Sequence, residues 1–193
     1  MKKMKSFTAL LLTLVLALAL TACGGKQDDS KPDDKPDGTV TMTAQEVLDT
    51  LKQQLGDSYT CEAAEDEARM MDYYGLDMTK VDSWAAESSA SSALDPSTAV
   101  VLQVQADYAQ DAAALLQAGY EQVLDYCRMY SMNVPAVEQA RLFVQDGYVA
   151  LLILGGTAET DAQEVQQAAD TAAAIDAAWS GIFGSASNQI TVK

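Results

Sequence analysis

The hydrophobic pattern of the folded part of the chain begins with an amphipathic helix. Thr43 is a suitable N-cap, and Glu46 three residues later completes a capping box. Apolar residues then recur at helical spacing until Gly56 ends the helix. This stripe consists of Val47, Leu48, Leu51 and Leu55. A second, shorter helix is predicted over Glu65–Tyr74 and is closed by Gly75.

The next segment changes to strand and loop patterns. Val81–Glu87 is predicted as a strand, Ser88–Ser92 as a loop of small residues and Asp95-Pro96 as a turn. Thr98–Gln105 is predicted as another strand because apolar residues occupy both of its alternating faces. Val100, Leu102 and Val104 share one face, and Val101, Gln103 and Gln105 share the other.

A long amphipathic helix is predicted over Asp107–Met132, and Pro135 marks its end. Its expected buried side consists of Ala112, Leu115, Leu116, Gly119, Val123, Cys127 and Tyr130. A β-hairpin follows, because Ala140–Gln145 and Tyr148–Leu154 flank the turn dipeptide Asp146-Gly147. The second arm is apolar on both faces, so we expect an interior strand that is covered on each side.

The order of these elements predicts an α+β fold. A small antiparallel sheet, formed by the hairpin Ala140 to Leu154 and the strand Thr98 to Gln105, packs with the long amphipathic helix and a C-terminal helix. That last helix covers Asp161–Phe183 with Thr160 as its cap, and Ser185–Lys193 is a tail that includes at most one edge strand.

The N-terminus has the pattern of an export signal. Three lysines, Lys2, Lys3 and Lys5, precede an apolar run of about 14 residues, Phe7–Leu20, which is too short for a comfortable membrane span. The following tetrapeptide, Leu20, Thr21, Ala22 and Cys23, resembles the lipobox of bacterial lipoproteins. A buried helix or an uncleaved signal anchor is the alternative, but neither needs a cysteine at this boundary.

The lipobox resemblance implies a location. Residues 1–22 are then a signal peptide removed after Sec-type export, and the Cys23 thiol carries a diacylglyceryl group. Two acyl chains on one residue give durable attachment to the outer face of the cytoplasmic membrane. Residues 23–38 are rich in Gly, Pro, Ser and charge, which predicts a disordered acidic tether. Residues 39–193 are predicted to form a single domain.

Charge narrows the range of partners. The chain has 12 Lys and Arg against 28 Asp and Glu, and loss of residues 1–22 removes three lysines, so the mature chain carries a formal charge of −19. Such a surface repels nucleic-acid phosphates, and no basic patch interrupts it, so nucleic acid is not an expected partner. Either the charge keeps an exported domain soluble, or it meets cations or a basic partner.

Catalytic motifs are absent from the sequence. There is no histidine, which excludes Ser-His-Asp and Cys-His arrangements and zinc sites with imidazole ligands. No P-loop or GxSxG motif is present, and Gly155-Gly156 is interpreted as a turn. The lysines of the folded part, Lys52, Lys80 and Lys193, have no context that suggests a Ser-Lys dyad. No catalytic residue, cofactor or metal is therefore predicted.

Carboxylates leave three alternatives open. Glu62, Glu65, Asp66 and Glu67 form an acidic cluster, and Asp107, Asp111 and Asp125 lie on polar positions of the long helix. Solvated surface is the first interpretation. A calcium site in the cluster is the second, although its spacing does not match an EF-hand loop. A hydrolase that uses paired carboxylates on envelope polymers is a further alternative.

Cysteines and aromatic residues also allow two interpretations each. Outside the membrane, Cys61 and Cys127 could form a disulfide, or both could be small buried apolar residues. Tyr and Met residues crowd two helices and could line a groove for a peptide or small ligand, or belong to the core. They are Met70, Met71, Tyr73, Tyr74, Tyr120, Tyr126, Met129, Tyr130 and Met132.

Several segments resemble a family of small lipoproteins of clostridia and their relatives, catalogued as domain of unknown function 4358. The resemblance lies in Tyr73–Asp77, Val81, Ser91, Thr98–Leu102, Val134-Pro135 and Asp146–Leu152. It implies the anchor, the tether and the fold, but no activity. The chain departs from the family at Thr98-Ala99, where members have a Glu-Ile pair, and at Val134-Pro135, where they have Tyr-x-Pro.

Three function classes follow from the sequence. The favoured one is a non-catalytic binding or accessory module of the cell envelope, held at the membrane by its lipid anchor, with an envelope protein or a small ligand as partner. The other two are the carboxylate-dependent hydrolase and a scaffold subunit of an exported complex.

Overall fold

The computed structural model of the protein describes residues 40–92, 94–155 and 160–191. All of them belong to one compact unit, Gly38–Lys193. The predicted signal peptide (1–22), the lipobox with Cys23, and the tether (23–38) lie outside the described residues, as do Gly156 and Lys193.

An antiparallel sheet of five strands forms the centre of the described part of the chain. The strands are β1 (Ala63–Ala64), β2 (Val81–Ser88), β3 (Thr98–Val104), β4 (Arg141–Gln145) and β5 (Tyr148–Ile153). Their order in the sheet is β1-β2-β3-β5-β4, and every neighbouring pair is antiparallel. This arrangement confirms the predicted α+β class, and it adds β1 and β2 to the smaller predicted sheet.

Four α-helices pack around this sheet in the described residues. They are α1 (Ala44–Leu55), α2 (Ala109–Tyr130), α3 (Val134–Glu138) and α4 (Asp161–Phe183). The predicted capping box of α1 is present, because the Thr43 N–H donates to Glu46 Oε2 at 2.7 Å and the Glu46 N–H donates to Thr43 Oγ1 at 3.3 Å. Thr160 caps α4 by accepting the Gln163 N–H at its Oγ1, at 3.3 Å.

The helices cover both faces of the sheet. Val100, Leu102 and Val104 of β3 point to the core beneath α2, whereas Ala99 and Val101 point to the core beneath α1 and α4. The predicted alternation is therefore correct. On the second face Trp179 stacks on Phe143 and Phe183, at centroid distances of 4.7 Å and 4.2 Å. Full burial of each such side chain stabilises the fold by roughly 1.5–3 kcal/mol.

The hairpin prediction is also confirmed. Asp146 and Gly147 join β4 and β5 with φ values of 52° and 82°, the backbone of a type I′ turn. All six residues of β5 are buried, as expected for an interior strand covered on both sides.

Two predictions about element limits were wrong. The helix predicted over Glu65–Tyr74 begins only at residue 67, and Arg69–Tyr73 forms a turn of π-helix rather than α-helix. The long helix ends at Tyr130, followed by the left-handed Ser131 (φ 53°), and Pro135 lies in the first turn of α3. Residues 185–191 of the tail do not form the edge strand that the prediction allowed, although the Gln189 N–H donates to the Leu142 carbonyl at 2.7 Å.

The buried face of α2 also differs from the prediction at its end. Tyr130 is 58 % exposed rather than buried, and Tyr120 and Leu124 occupy the core positions that the prediction omitted. The last three residues, Arg128–Tyr130, are all exposed, so this turn extends beyond the core. Periodicity alone does not show at which residue a helix extends beyond the core.

Candidate functional site

A cleft of about 450 Å³ lies on the α2 side of the sheet. We call it the serine cleft, because Ser88 at the end of β2 and Ser89, Ser92 and Ser97 of the loop between β2 and β3 line one wall. Arg69 and Tyr73 of the π-helix and Val123 and Tyr126 of α2 line the other. Glu65, Leu94, Asp95 and Thr98 also line the cleft. Its volume falls within the usual range for small-molecule sites.

The π-helix places two side chains in the serine cleft. Its wider turn is held at the start by Asp66, whose Oδ1 accepts the Arg69 N–H at 2.9 Å. The buried Tyr74 holds the end by packing on α2 at Gly119, and the ring of Tyr73 meets that of Tyr74 edge to face at 4.8 Å. Single turns of π-helix occur frequently at functional sites.

Hydrogen bonds fix the opposite wall. Ser97, which is only 2 % exposed, donates its N–H to Asp95 Oδ1 at 2.9 Å and its hydroxyl to the Gly155 carbonyl at 3.2 Å. The same hydroxyl accepts from Thr60 Oγ1 at 2.8 Å. The Ser89 N–H donates to the Ser97 carbonyl at 3.0 Å and closes the neck of the loop. This wall is therefore tied to the body of the domain.

Within the described residues, none of the charged side chains that line the serine cleft takes part in a salt bridge. The Arg69 guanidinium lies over the Tyr73 ring, 3.9 Å from its centroid. The three salt bridges of the described residues join Lys52 to Glu87, Arg128 to Glu138 and Arg141 to Asp176. Arg69, Glu65 and Asp95 belong to none of them. One cation and two carboxylates thus line the same cleft without an ion-pair partner in the described chain.

The lysines are engaged elsewhere. Lys52 Nζ lies 2.8 Å from Glu87 Oε2, which also accepts the Tyr59 hydroxyl at 2.9 Å. Burial, the largest cause, raises the pKa of Tyr59, so the phenol stays protonated and remains a donor. Lys80 lies over the Tyr108 ring at 5.2 Å. Neither described lysine makes a hydrogen bond to a serine, so nothing in this part of the chain favours a Ser-Lys dyad.

The two described cysteines are free and buried. Cys61 belongs to the core beneath α1 and α4, whereas Cys127 belongs to the core beneath α2, on the other face of the sheet. The structure therefore contains no Cys61–Cys127 disulfide, and it places the thiols as the second interpretation expected. Burial raises the pKa of both thiols, which keeps them protonated and unreactive.

The acidic cluster is mostly solvated. Glu62, Asp66 and Glu67 are exposed, and only Glu65 is half-buried. No group of three or more carboxylate or cysteine side chains suited to a metal ion occurs among the described residues.

The Tyr and Met clusters divide between the two interpretations. Met70, Tyr74 and Tyr120 are in the core, while Tyr73 and Tyr126 line the serine cleft. Met71, Met129 and Tyr130 are exposed outside it.

Sequence reasoning missed Arg69 and the serine wall. The signal for Arg69 was its rarity, as one of three arginines in a strongly acidic chain. The signal for the wall was the serine-rich run 88–92 beside Ser97.

No helix in the described residues is long and apolar enough to cross a membrane. The chain has no significant match to any protein-family model, curated protein or solved structure.

Proposed function

We propose that this protein is a lipoprotein of the clostridial family named above, anchored through Cys23 to the outer face of the cytoplasmic membrane, whose domain is a non-catalytic binding module. The proposed ligand site is the serine cleft. The anchor is supported by the lysines, the apolar run and the lipobox of the N-terminus, which together match the export and lipidation signals of bacterial lipoproteins.

One observation carries the binding function: the serine cleft holds an arginine and two carboxylates that no salt bridge satisfies within the described residues. Charge-assisted hydrogen bonds are about twice as strong as neutral ones, so unpaired charges in a cleft favour a polar ligand. The hydroxyls of the serine wall add donors and acceptors, and the tyrosines add apolar surface. Concave sites of mixed character with few charged groups are typical of small-ligand binding.

The binding module is better supported than a hydrolase with paired acids. Asp95 already accepts the Ser97 N–H and so helps to hold the loop. Glu65 is the other carboxylate of the cleft, and it is only half-buried. A general acid is usually surrounded by apolar side chains, whereas the serine wall beside these carboxylates consists of hydroxyl groups.

The anchor is tested by labelling cells with a palmitate analogue. We expect label on the native chain and on a Cys61→Ala/Cys127→Ala control, and none on Cys23→Ala, which should leave the membrane fraction. Label that persists on Cys23→Ala, or unchanged membrane attachment of that variant, contradicts the proposal.

The binding site is tested with a photocrosslinking amino acid. Benzoylphenylalanine replaces Tyr126, which lines the serine cleft and is 45 % exposed. The matched control replaces Val165, which is 58 % exposed on α4. Irradiation of intact cells should give an adduct of discrete mass at position 126 and none at 165. No adduct at 126, or equal adducts at both positions, contradicts the proposal.

A further inference from the structure

We propose that the serine cleft binds a small zwitterion, an amino acid or a short peptide with free termini and an apolar side chain. This inference rests on the proposed binding function and names its ligand class. It follows from the charges of the cleft, from its apolar surface and from the net charge of the chain.

Arg69 is suited to the carboxylate of such a ligand. A guanidinium binds a carboxylate through two parallel hydrogen bonds, and stacking on an aromatic ring holds its plane in place. Arg69 is exposed, lies 3.9 Å from the Tyr73 ring centroid and has no salt-bridge partner in the described residues. The ring therefore presents the guanidinium to the cleft with its ion-pairing capacity unused.

Glu65 and Asp95 are suited to the ammonium group. Asp95 uses Oδ1 to accept the Ser97 N–H, and its second oxygen accepts no hydrogen bond from the described residues. Glu65 is half-buried on the same cleft and takes part in none of the described salt bridges. An ammonium group has three donors, and the serine hydroxyls of the wall can accept those that the carboxylates do not.

The net charge favours a zwitterion over a simple anion. The mature chain carries a formal charge of −19, and its field repels anions at long range. A zwitterion has no net charge, so it approaches without this repulsion and still pairs with Arg69. A simple cation would be attracted by the negative field of the chain. It would, however, give Arg69 no anionic partner, and the guanidinium in the same cleft would repel it.

The apolar part of the cleft is suited to the apolar side chain of the proposed ligand. Val123, Tyr126 and Leu94 line it, and Leu94 is 53 % exposed, so its side chain is accessible to a ligand. A volume of about 450 Å³ holds an amino acid with room for a second residue.

The test compares phenylalanine with three capped derivatives of it. Binding is detected through amide chemical-shift changes in a ¹⁵N-labelled domain (residues 39–193). Phenylalanine carries both charges, N-acetylphenylalanine only the carboxylate, phenylalanine amide only the ammonium group, and N-acetylphenylalanine amide neither. Alanylphenylalanine is included as a zwitterion of two residues. We expect at least one zwitterion to bind with a dissociation constant of about 1 mM or tighter, with shifts at Arg69, Tyr73 and Thr98.

Each capped derivative should bind at least about tenfold more weakly than phenylalanine, since it loses at least one charge-assisted contact. Arg69→Gln should abolish the preference for the free carboxylate, and Glu65→Gln should weaken the preference for the free ammonium group. Arg128→Gln and Glu67→Gln are the matched controls on exposed residues outside the cleft, and we expect them to bind like the native domain. Thermal unfolding of each variant verifies that it is folded.

The two experiments distinguish a wrong ligand class from a wrong binding function. If the capped compounds bind as tightly as phenylalanine, or if neither zwitterion changes the amide chemical shifts, the proposed ligand class is wrong. If crosslinking at position 126 still gives its adduct, the binding function survives that failure and only the zwitterion is wrong. If crosslinking fails as well, both proposals fall.

Discussion

Gly119 of α2 and the ring of Tyr74 are in direct contact. A Cβ built on Gly119 would lie 2.7 Å from two carbons of that ring, a distance that real Cβ atoms essentially never show. Tyr74 is only 6 % exposed, so its ring has little room to move. The contact sets how closely the π-helix approaches α2, and with it the position of Arg69 and Tyr73 in the serine cleft.

Gly119→Ala should therefore destabilise the domain. Alanine improves helix propensity by about 1 kcal/mol, but forcing a methyl group against a buried ring costs about 1–3 kcal/mol. We expect a net loss of up to about 2 kcal/mol in the free energy of unfolding, measured by urea denaturation.

Gly181→Ala is the matched control. Gly181 lies in α4, and an added Cβ would meet only the Gln54 amide, at 3.5 Å and 3.9 Å. This variant should gain up to about 1 kcal/mol. If Gly119→Ala stabilises the domain as much as Gly181→Ala does, the contact with Tyr74 does not limit the approach of the two elements.

Arg141 ties the edge strand β4 to α4. Its Nε and Nη2 donate to the two Asp176 oxygens at 2.8 Å and 3.1 Å, and Nη1 donates to the Gln139 carbonyl at 2.8 Å. The Arg141 side chain is 14 % exposed, so these bonds are only partly screened by water. Arg141→Met should cost about 2 kcal/mol of unfolding free energy.

Arg128→Met is the comparison for this prediction. The Arg128–Glu138 pair is a single contact of 2.8 Å between side chains that are 40 % and 42 % exposed. Exposed pairs contribute about 0–1 kcal/mol, so this variant should differ little from the native chain. Equal losses in the two variants would show that the geometry around Arg141 adds nothing.

Much of the fold was predictable from the sequence, because its signals are local. Thr43 with Glu46 and the Asp146-Gly147 dipeptide each act within a few residues, and alternation in Thr98–Val104 reports directly on its two faces. The π-helix was not predictable, because the contact that fixes it joins Tyr74 to Gly119, 45 positions away.

The candidate site was less predictable than the fold for the same reason. Arg69 and Ser97 line one cleft only because the β2–β3 loop returns beside the π-helix. The anchoring of that loop depends on Thr60 and Gly155, from two other parts of the chain. Residue types alone suggested that Cys61 and Cys127 could form a disulfide. The sheet that separates their two core clusters is a tertiary feature, so the sequence could not exclude this pairing.

The two buried cysteines should not react in the folded domain. Both thiols are enclosed, and burial raises the pKa of each, so little thiolate is present at neutral pH. A domain of residues 39–193 should react with a thiol reagent only after addition of denaturant, and then at two thiols. Its intact mass should be the same with and without a reductant. A gain of about two daltons on reduction, the mass of two hydrogens, would instead reveal a disulfide.

Acid should weaken the N-terminal cap of α1. The Thr43 N–H, and then the Thr43 hydroxyl, lower the pKa of Glu46 below its ordinary value of 4.5. A depressed pKa in the folded state means that the ionised carboxylate stabilises the fold. This contribution is fully present above about pH 4.5 and is lost as the pH falls through the folded-state pKa.

Glu46→Gln measures this contribution, because glutamine keeps the shape of the side chain but cannot titrate. Urea denaturation should find the variant less stable than the native domain at about pH 6, and the difference should shrink as the pH is lowered to about pH 3. Glu67→Gln, which removes an exposed carboxylate with no capping role, controls for the loss of one negative charge from an acidic chain. If the deficit of Glu46→Gln is the same at both pH values, the ionised carboxylate does not stabilise the cap.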